Sequence, residues 1–327
     1  MLYRDELYGP VEIIEPVLLE LMSSNAMQRA KGVSQHGITA LLGITPPFSR
    51  FDHSVGSMLL VRRLGADLNE QIAALLHDVS HTAFSHVMDF VFNDHNGQSY
   101  HEKEKEEFVA NSDVPEILSR HNKDWHKFMD EEQFPLLEQP TPALCADRLD
   151  YFLRDLEFLK LSNPQAIQKA IDSLGVAEGQ VVVNDIEVAR WLAYTFIETD
   201  RTSWSNFREV GLYQLTAEAI KTAMQCGVLD EADIWGTDEN LWNKLKSSNL
   251  PDVRCWTDLV TPSTRFTWDS DKPVFSVSTK IRSIDPPFFD GKSVALFSEL
   301  DPGFAKYRED YLSSKQGLWP MGIVKAP

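Results

Sequence analysis

The stretch Ile72-Ala73-Ala74-Leu75-Leu76-His77-Asp78-Val79-Ser80-His81 carries an apolar run straight into a His-Asp pair, with a second histidine four residues on. Five consecutive apolar residues read as a buried helix, so the charged pair at its end is carried toward the interior. Left unpaired there it would cost on the order of several kcal/mol, and a divalent cation is an effective partner. On a helix His77 and His81 share a face, and Asp78 points about a quarter turn away, where it can reach the same ion from the side.

Working upstream, Ser49-Arg50-Phe51-Asp52-His53-Ser54 opens a second helix near Phe51, with His53 at its start and Val55, Met58, Leu59 and Leu64 as a packing stripe. Downstream, Ala146-Asp147-Arg148-Leu149-Asp150-Tyr151-Phe152-Leu153-Arg154-Asp155 sets acidic residues 147, 150 and 155 among apolar and aromatic ones, a source for a fourth ligand. Two imidazoles and two carboxylates suit one divalent ion: Fe, Mn, Co, Ni or Zn, and less specifically Mg. The zinc-peptidase pattern HExxH needs Glu directly after the first His; Asp78 stands there instead.

Phosphate hydrolysis needs a nucleophilic water, neutralised phosphoryl oxygens and a proton for the leaving oxygen. A divalent ion supplies the first two, and histidine titrates in the range suited to the third. His81, His86 and His101 lie close to the ligands in sequence. His36, His95, His121 and His126 carry no supporting pattern and are expected on the surface or in loops.

The net charge of −18 argues against stable attachment to nucleic acid or an anionic membrane. An anionic substrate therefore requires a locally positive cleft. No run approaches eighteen apolar residues and MLYRDELYGP lacks signal-peptide character, so a cytoplasmic location is expected. Cys145, Cys226 and Cys255 are widely spaced and form no CxxC pair.

Helices are predicted near 15–29, 52–67, 69–79, 101–110, 113–119, 142–158, 164–173, 186–199, 205–225 and 238–247. The β-branched Gly179-Gln180-Val181-Val182-Val183 reads as a strand. After residue 250 the texture changes: residues 274–281 alternate with period two, Ser293-Val294-Ala295-Leu296-Phe297 follows a turn at Asp290-Gly291, and a helix is expected near 302–314. The expectation is a mainly α protein, with a helical domain over 1–250 and a small α+β appendage over 251–327 packed on it.

The order His53, His77-Asp78, Asp147 resembles the H…HD…D metal set of the HD superfamily of phosphohydrolases, a helical fold. The segments SRFDHSVG, AALLHDVSHTAFSH, YHE at 100–102 and ADRLDYFLRD are similar to its deoxynucleoside triphosphate triphosphohydrolase branch over roughly residues 28–160. Echoes continue at 236–245 and 280–286. The resemblance implies His53, His77, Asp78 and Asp147 as metal ligands, and His81, His86 and His101 as catalytic or supporting histidines. It implies substrate contacts at Gln35, Arg50, Arg148, Tyr151 and Asp155. The implied reaction releases nucleoside and tripolyphosphate from a deoxynucleotide, and homo-oligomers are common in that branch. A nucleoside monophosphatase or cyclic-nucleotide phosphodiesterase of the same superfamily is the alternative enzyme; a non-catalytic nucleotide-binding module is the alternative outside catalysis. Ser80 departs from the Gly often found in the family's HDxGH run, a change that costs nothing unless the chain must adopt positive φ there.

Overall fold

In the computed structural model, which describes residues 1–324, three helices create the centre of the molecule. The first, Arg50–Arg63, starts where Ser49 accepts a hydrogen bond from the Asp52 amide while the Asp52 side chain accepts from the Ser49 amide. This reciprocal cap fixes the first turn, and with it Arg50 and His53. The second, Leu68–Leu76, is capped by Asp67, whose carboxylate accepts from the Asn69 and Glu70 amides. The third, Ala146–Phe158, bears Asp147 in its first turn.

Val55, Met58, Leu60, Ile72, Leu75, Leu149 and Phe152 are sealed from solvent where these helices meet. Each such side chain contributes about 1.5–3 kcal/mol over its exposed state. Helices Pro16–Ser23, Asn25–Ala30 and Ile186–Thr202 complete this core. A second core forms beneath helix Phe207–Gln225, with Val87, Phe90, Leu241, Val253 and Trp319 packed together.

The predicted helix over 15–29 is two helices, broken at Ser24, whose extended backbone ends one and whose hydroxyl caps the next. The expectation that His77 and His81 share a helix face is corrected. The helix ends at Leu76 with His77 as its C-cap, and 77–80 forms tight turns in which Val79 bonds Leu76 and His81 bonds Asp78. Ser80 needs no positive φ; its hydroxyl donates to the His101 carbonyl at 2.9 Å and ties the turn to the next helix, Tyr100–Ala110.

Strands occupy the margins. Leu2–Asp5 and Gly9–Glu12 form an N-terminal hairpin that the sequence reading did not anticipate. Leu174–Ala177 and Gln180–Val183 make a second hairpin, and Pro287–Phe289 adds parallel to its inner strand, followed by Val294–Leu296. Arg265–Trp268 and Phe275–Val277 flank Trp319–Val324 in a three-stranded sheet. Chain beyond residue 250 thus shares one sheet with residues 174–183 and closes on helix Pro302–Ser314. No helix among the described residues is long and apolar enough to cross a membrane.

Candidate metal centre and cleft

His53 and His77 meet at the junction of the three helices. Their Nε2 atoms stand 3.2 Å apart, and Asp147 Oδ1 lies 2.9 Å from the first and 3.4 Å from the second. Asp78 Oδ2 is 3.6 Å from His53 Nε2 and 3.7 Å from His77 Nε2. Donor atoms bound to one ion at roughly 2.1 Å subtend separations of about 3 Å, so this quartet is spaced to share one.

The other ring nitrogens settle which atoms face inward. His53 Nδ1 lies 2.8 Å from Asp150 Oδ2, and His77 Nδ1 lies 2.7 Å from the Ala74 carbonyl. Both partners are acceptors, so each Nδ1 carries a proton and each Nε2 lone pair points into the quartet. Two lone pairs facing one another call for a shared cation. Burial alone would push both imidazoles down in pKa. Around His53 the Asp147 and Asp150 carboxylates overcome it, and around His77 those of Asp78 and Asp147, so both rise, His77 to about 10. Burial likewise opposes ionisation of the two acids. Arg50 and His77 nevertheless hold Asp78 well below the usual carboxylate range, and His53 and His77 do the same for Asp147. With both Nε2 lone pairs free, as binding an ion requires, the two carboxylates give the quartet a negative charge for a divalent cation to neutralise.

Beside it stand the three remaining histidines of the motif region. His81 stacks on His101 at 3.7 Å between centroids, with His86 edge-on at 5.1 Å. Burial, followed by Arg50, pushes His81 down to about 3; burial and nearby cations depress His86, and burial and His81 depress His101. Asp78, His81 and His101 also bring ligating atoms within 4.8 Å of one another. His86 differs from its neighbours in that Asp89 Oδ2 accepts from its Nδ1 at 2.9 Å, leaving Nε2 free to exchange a proton.

The backbone here is held by close approach. Phe84 and Ser85 take positive φ, and Gly37 packs so tightly on Phe84 that any Cβ would strike the Phe84 carbonyl. Arg50, set by the helix cap, donates to Asp78 at 2.6 Å and to Ser85 at 3.0 Å.

From the metal cluster a cleft runs between the two cores. Arg50, Asp78, His81, His86, His101, Glu138, Asp147, Arg148, Lys280 and Arg282 line one end. His36, Trp204, Glu209, Val210, Tyr213 and Thr279 line the other, and Gln35, His86, Gln98, Tyr151 and Arg282 belong to both. Among the described residues neither Lys280 nor Arg282 has a carboxylate within 4 Å; burial and the neighbouring Arg282 lower the Lys280 ammonium. Four cations and four carboxyl groups, Glu102 among them, line this end; Arg50 and Arg148 are paired with Asp78 and Glu138, so among the described residues Lys280 and Arg282 are the positive charges there without an ion-pair partner to meet an anion in a chain of net charge −18.

Arg148 faces the cleft, but its two terminal nitrogens donate to the Ala143 carbonyl, Cys145 Sγ, Glu138 and the Gln139 carbonyl. Asp155 is wholly buried; it accepts from Trp204 Nε1 at 2.6 Å and pairs with His36 Nε2 at 2.8 Å, so it reaches the cleft through those two rings. His36, expected on the surface or in a loop, does lie in a turn, but it is 4% exposed and part of the cleft wall, which the sequence reading did not anticipate. His95 lies in a turn, half-buried and stacked on Phe90. Glu138, Gln98, Trp204, Glu209 and Tyr213 went unremarked as site residues because none lies in a motif; the only signal was in Lys280 and Arg282, within a segment already similar to the triphosphohydrolase branch.

The HD-domain family model matches residues 50–155, which contain the whole quartet. Across nearly its full length the chain is 38% identical, over 325 residues, to the metal-dependent phosphohydrolase cns2 of Cordyceps militaris; the match covers 96% of this chain and 93% of that protein. The chain belongs to the HD-domain metal-dependent phosphohydrolases. The deoxynucleoside triphosphate triphosphohydrolase SAMHD1 of Danio rerio is 32% identical over 105 residues, only 28% of this chain and 17% of that one. Among solved structures, a phosphohydrolase from Bacteroides thetaiotaomicron superposes with a TM-score of 0.69 at 16% identity, covering 91% of this chain and 94% of that chain, a likeness of fold alone. As an HD-domain phosphohydrolase the chain depends on a metal ion, and its His/Asp clusters are suited to hold one.

Proposed function

We propose that this HD-domain phosphohydrolase acts on nucleotides, with a deoxynucleoside triphosphate cleaved to nucleoside and tripolyphosphate as the leading substrate. One observation carries the nucleotide reading. A cleft joins the candidate metal cluster, with Lys280 and Arg282 that have no carboxylate partner among the described residues, at one end to the rings of Tyr151, Trp204 and Tyr213 at the other; the Arg282 guanidinium donates only to Gln98 and the Lys280 carbonyl. Phosphate chemistry suits the first end, and a sugar and base suit the second.

His53, His77, Asp78 and Asp147 would hold the ion, which when bound supplies a Lewis acid for a phosphoryl oxygen and acidifies a water. Arg50 braces Asp78 and adds positive charge beside the phosphate. His86, oriented by Asp89, is placed to give the leaving oxygen its proton once the phosphate's negative charge raises its affinity for one. His81 and His101, stacked on one another beside it, add ring nitrogens at the same end of the cleft for the phosphate and its water. Gln35 Oε1 is buried without a partner and Tyr151 lines both ends, so these two are set at the sugar.

A second reading, hydrolysis of a nucleoside monophosphate, is favoured by Arg148. Its terminal nitrogens are committed to four protein acceptors, which leaves fewer donors for a longer phosphate chain. Chromatography of products from mono-, di- and triphosphates of ribo- and deoxynucleosides, each with several divalent ions, separates the two. Tripolyphosphate selects the leading reading and orthophosphate from monophosphates the second. Binding without turnover in any combination would reject both in favour of a regulatory module.

A further inference from the structure

The N-terminal hairpin contributes no residue to the cleft lining, yet a line of short ionic contacts joins it to His53. His53 Nδ1 pairs with Asp150 Oδ2 at 2.8 Å, and Arg154 Nε donates to that same oxygen at 2.8 Å. Arg154 Nη2 donates in turn to Asp5 Oδ2 at 2.8 Å, and Asp5 Oδ1 accepts from the Leu7 and Tyr8 amides at 2.8 and 2.9 Å. Asp5 is thus the residue around which the hairpin turns and the last member of a chain that begins at a ligand.

Everything along this line is buried. Asp150 is fully enclosed and Asp5 is 7% exposed. Gly56, on the helix that carries His53, packs directly on the pair, so that any Cβ there would meet the Arg154 guanidinium and the Asp150 carboxylate. The Tyr8 ring, from the same hairpin, lies 5.8 Å from the Arg154 guanidinium, and its hydroxyl and Asp150 Oδ1 are both buried without a well-formed hydrogen bond. Neither Asp5 nor Tyr8 was singled out by any motif, and neither touches the cleft.

We propose that the hairpin is a working part of the metal centre, with Asp5 acting through Arg154 and Asp150 as a positioning residue that fixes the His53 ring with Nε2 toward the ion. Asp150 strengthens His53 as a donor by accepting from its Nδ1–H. Arg154 competes for the same carboxylate oxygen, and Asp5 offsets that competition by neutralising the far side of the guanidinium. Removing the Asp5 charge turns more of Arg154 onto Asp150, weakens its hold on His53 and lowers affinity for the ion. This rests on His53 being a ligand.

The test is metal affinity rather than turnover. Full-length protein is stripped with chelator, and Mn²⁺ or Zn²⁺ alone is titrated against a competing fluorescent chelator, while melting of the metal-free protein is followed in parallel. Asp5→Asn can keep one oxygen as acceptor for the Leu7 and Tyr8 amides, and it removes both the charge and the acceptor that Arg154 uses, since an NH2 takes the place of Oδ2. It is expected to weaken binding by about tenfold, the lower end of what losing support behind a ligating histidine costs. Asp5→Glu should recover part of that loss. Glu6→Gln, which removes an exposed charge from the same hairpin, should leave affinity within about twofold. Asp5→Asn that lowers the melting temperature but binds metal like wild type, or Glu6→Gln that weakens binding equally, would overturn the inference. His53→Ala decides the underlying reading separately: undiminished affinity there would remove His53 as a ligand whatever the Asp5 variants do.

Discussion

The two ends of the cleft are built on opposite electrostatic terms. At the histidine end, the Nε2 atoms of His53 and His77 lie within 4 Å of each other and of carboxylate oxygens of both Asp78 and Asp147, and those carboxylates raise the affinity of both rings for a positive charge. At the aromatic end, most polar groups are already answered within the protein: Asp155 holds His36 and Trp204, the Tyr213 hydroxyl donates to the His36 carbonyl, and Ser203 donates to Glu209, while Gln35 Oε1 is left without a partner. The first end is suited to an ion, and the second offers mainly shape and ring surface. On the function proposed above, the chemistry belongs to the first end and selection among organic groups to the second.

The sharpest break of this contrast is His77→Ala. Metal content by elemental analysis should fall to background and turnover by at least about a thousandfold, since the ion and its water go together. Retained metal would show that the quartet is not the site. Next comes His86→Gln, which should keep the metal yet lower kcat about 10²–10⁴-fold, the range for loss of a positioned acid. A drop confined to KM would move the proton-transfer role to His81 or His101.

The pH dependence of metal binding probes the same end. Protons and cation compete for the Nε2 lone pairs, and His77, its pKa raised to about 10 in the metal-free protein, must give up its proton. Apparent affinity should therefore climb with pH, by about tenfold per unit between pH 6 and 8, as measured by chelator competition in non-coordinating buffer. Affinity that is flat across that window would contradict the raised pKa.

The smallest effect is expected at the other end. Trp204→Ala should raise KM for nucleotides about tenfold, as loss of one base-sized stacking surface does. Turnover of p-nitrophenyl phosphate, which lacks sugar and base, should change far less, and an equal loss on both substrates would show that Trp204 supports the fold instead.

Much of the helical framework was legible because its signals are local. The apolar run 72–76 and the Ser49 and Asp67 caps state where helices lie within a turn or so. The family was legible because His53, the 77–78 pair and Asp147 occur in an order and context that chance rarely supplies. The end of the second helix at Leu76 was not, since nothing in Val79-Ser80 forbids helix; the turn is stabilised by contacts from elsewhere, including the Ser80 bond to His101 and the Arg29 donations to the Val79 and His81 carbonyls. The hairpin at 2–12 was missed because its two four-residue strands alternate too briefly to stand out.

By itself, then, the amino-acid sequence determined the helical class, the metal-dependent phosphohydrolase family and a short roster of residues able to bind an ion, because capping, periodicity and motif spacing act over a few residues. Only the tertiary structure decided that Arg148 is committed to protein acceptors, that His36 and Trp204 form a wall through Asp155, and that Asp5 stands at the end of a line to His53. The Arg148 acceptors lie 3 to 10 residues before it, on the irregular chain that leads into its helix, and the other contacts join positions 49 to 149 residues apart; which atom a donor finds in either case is set by how loops and helices pack.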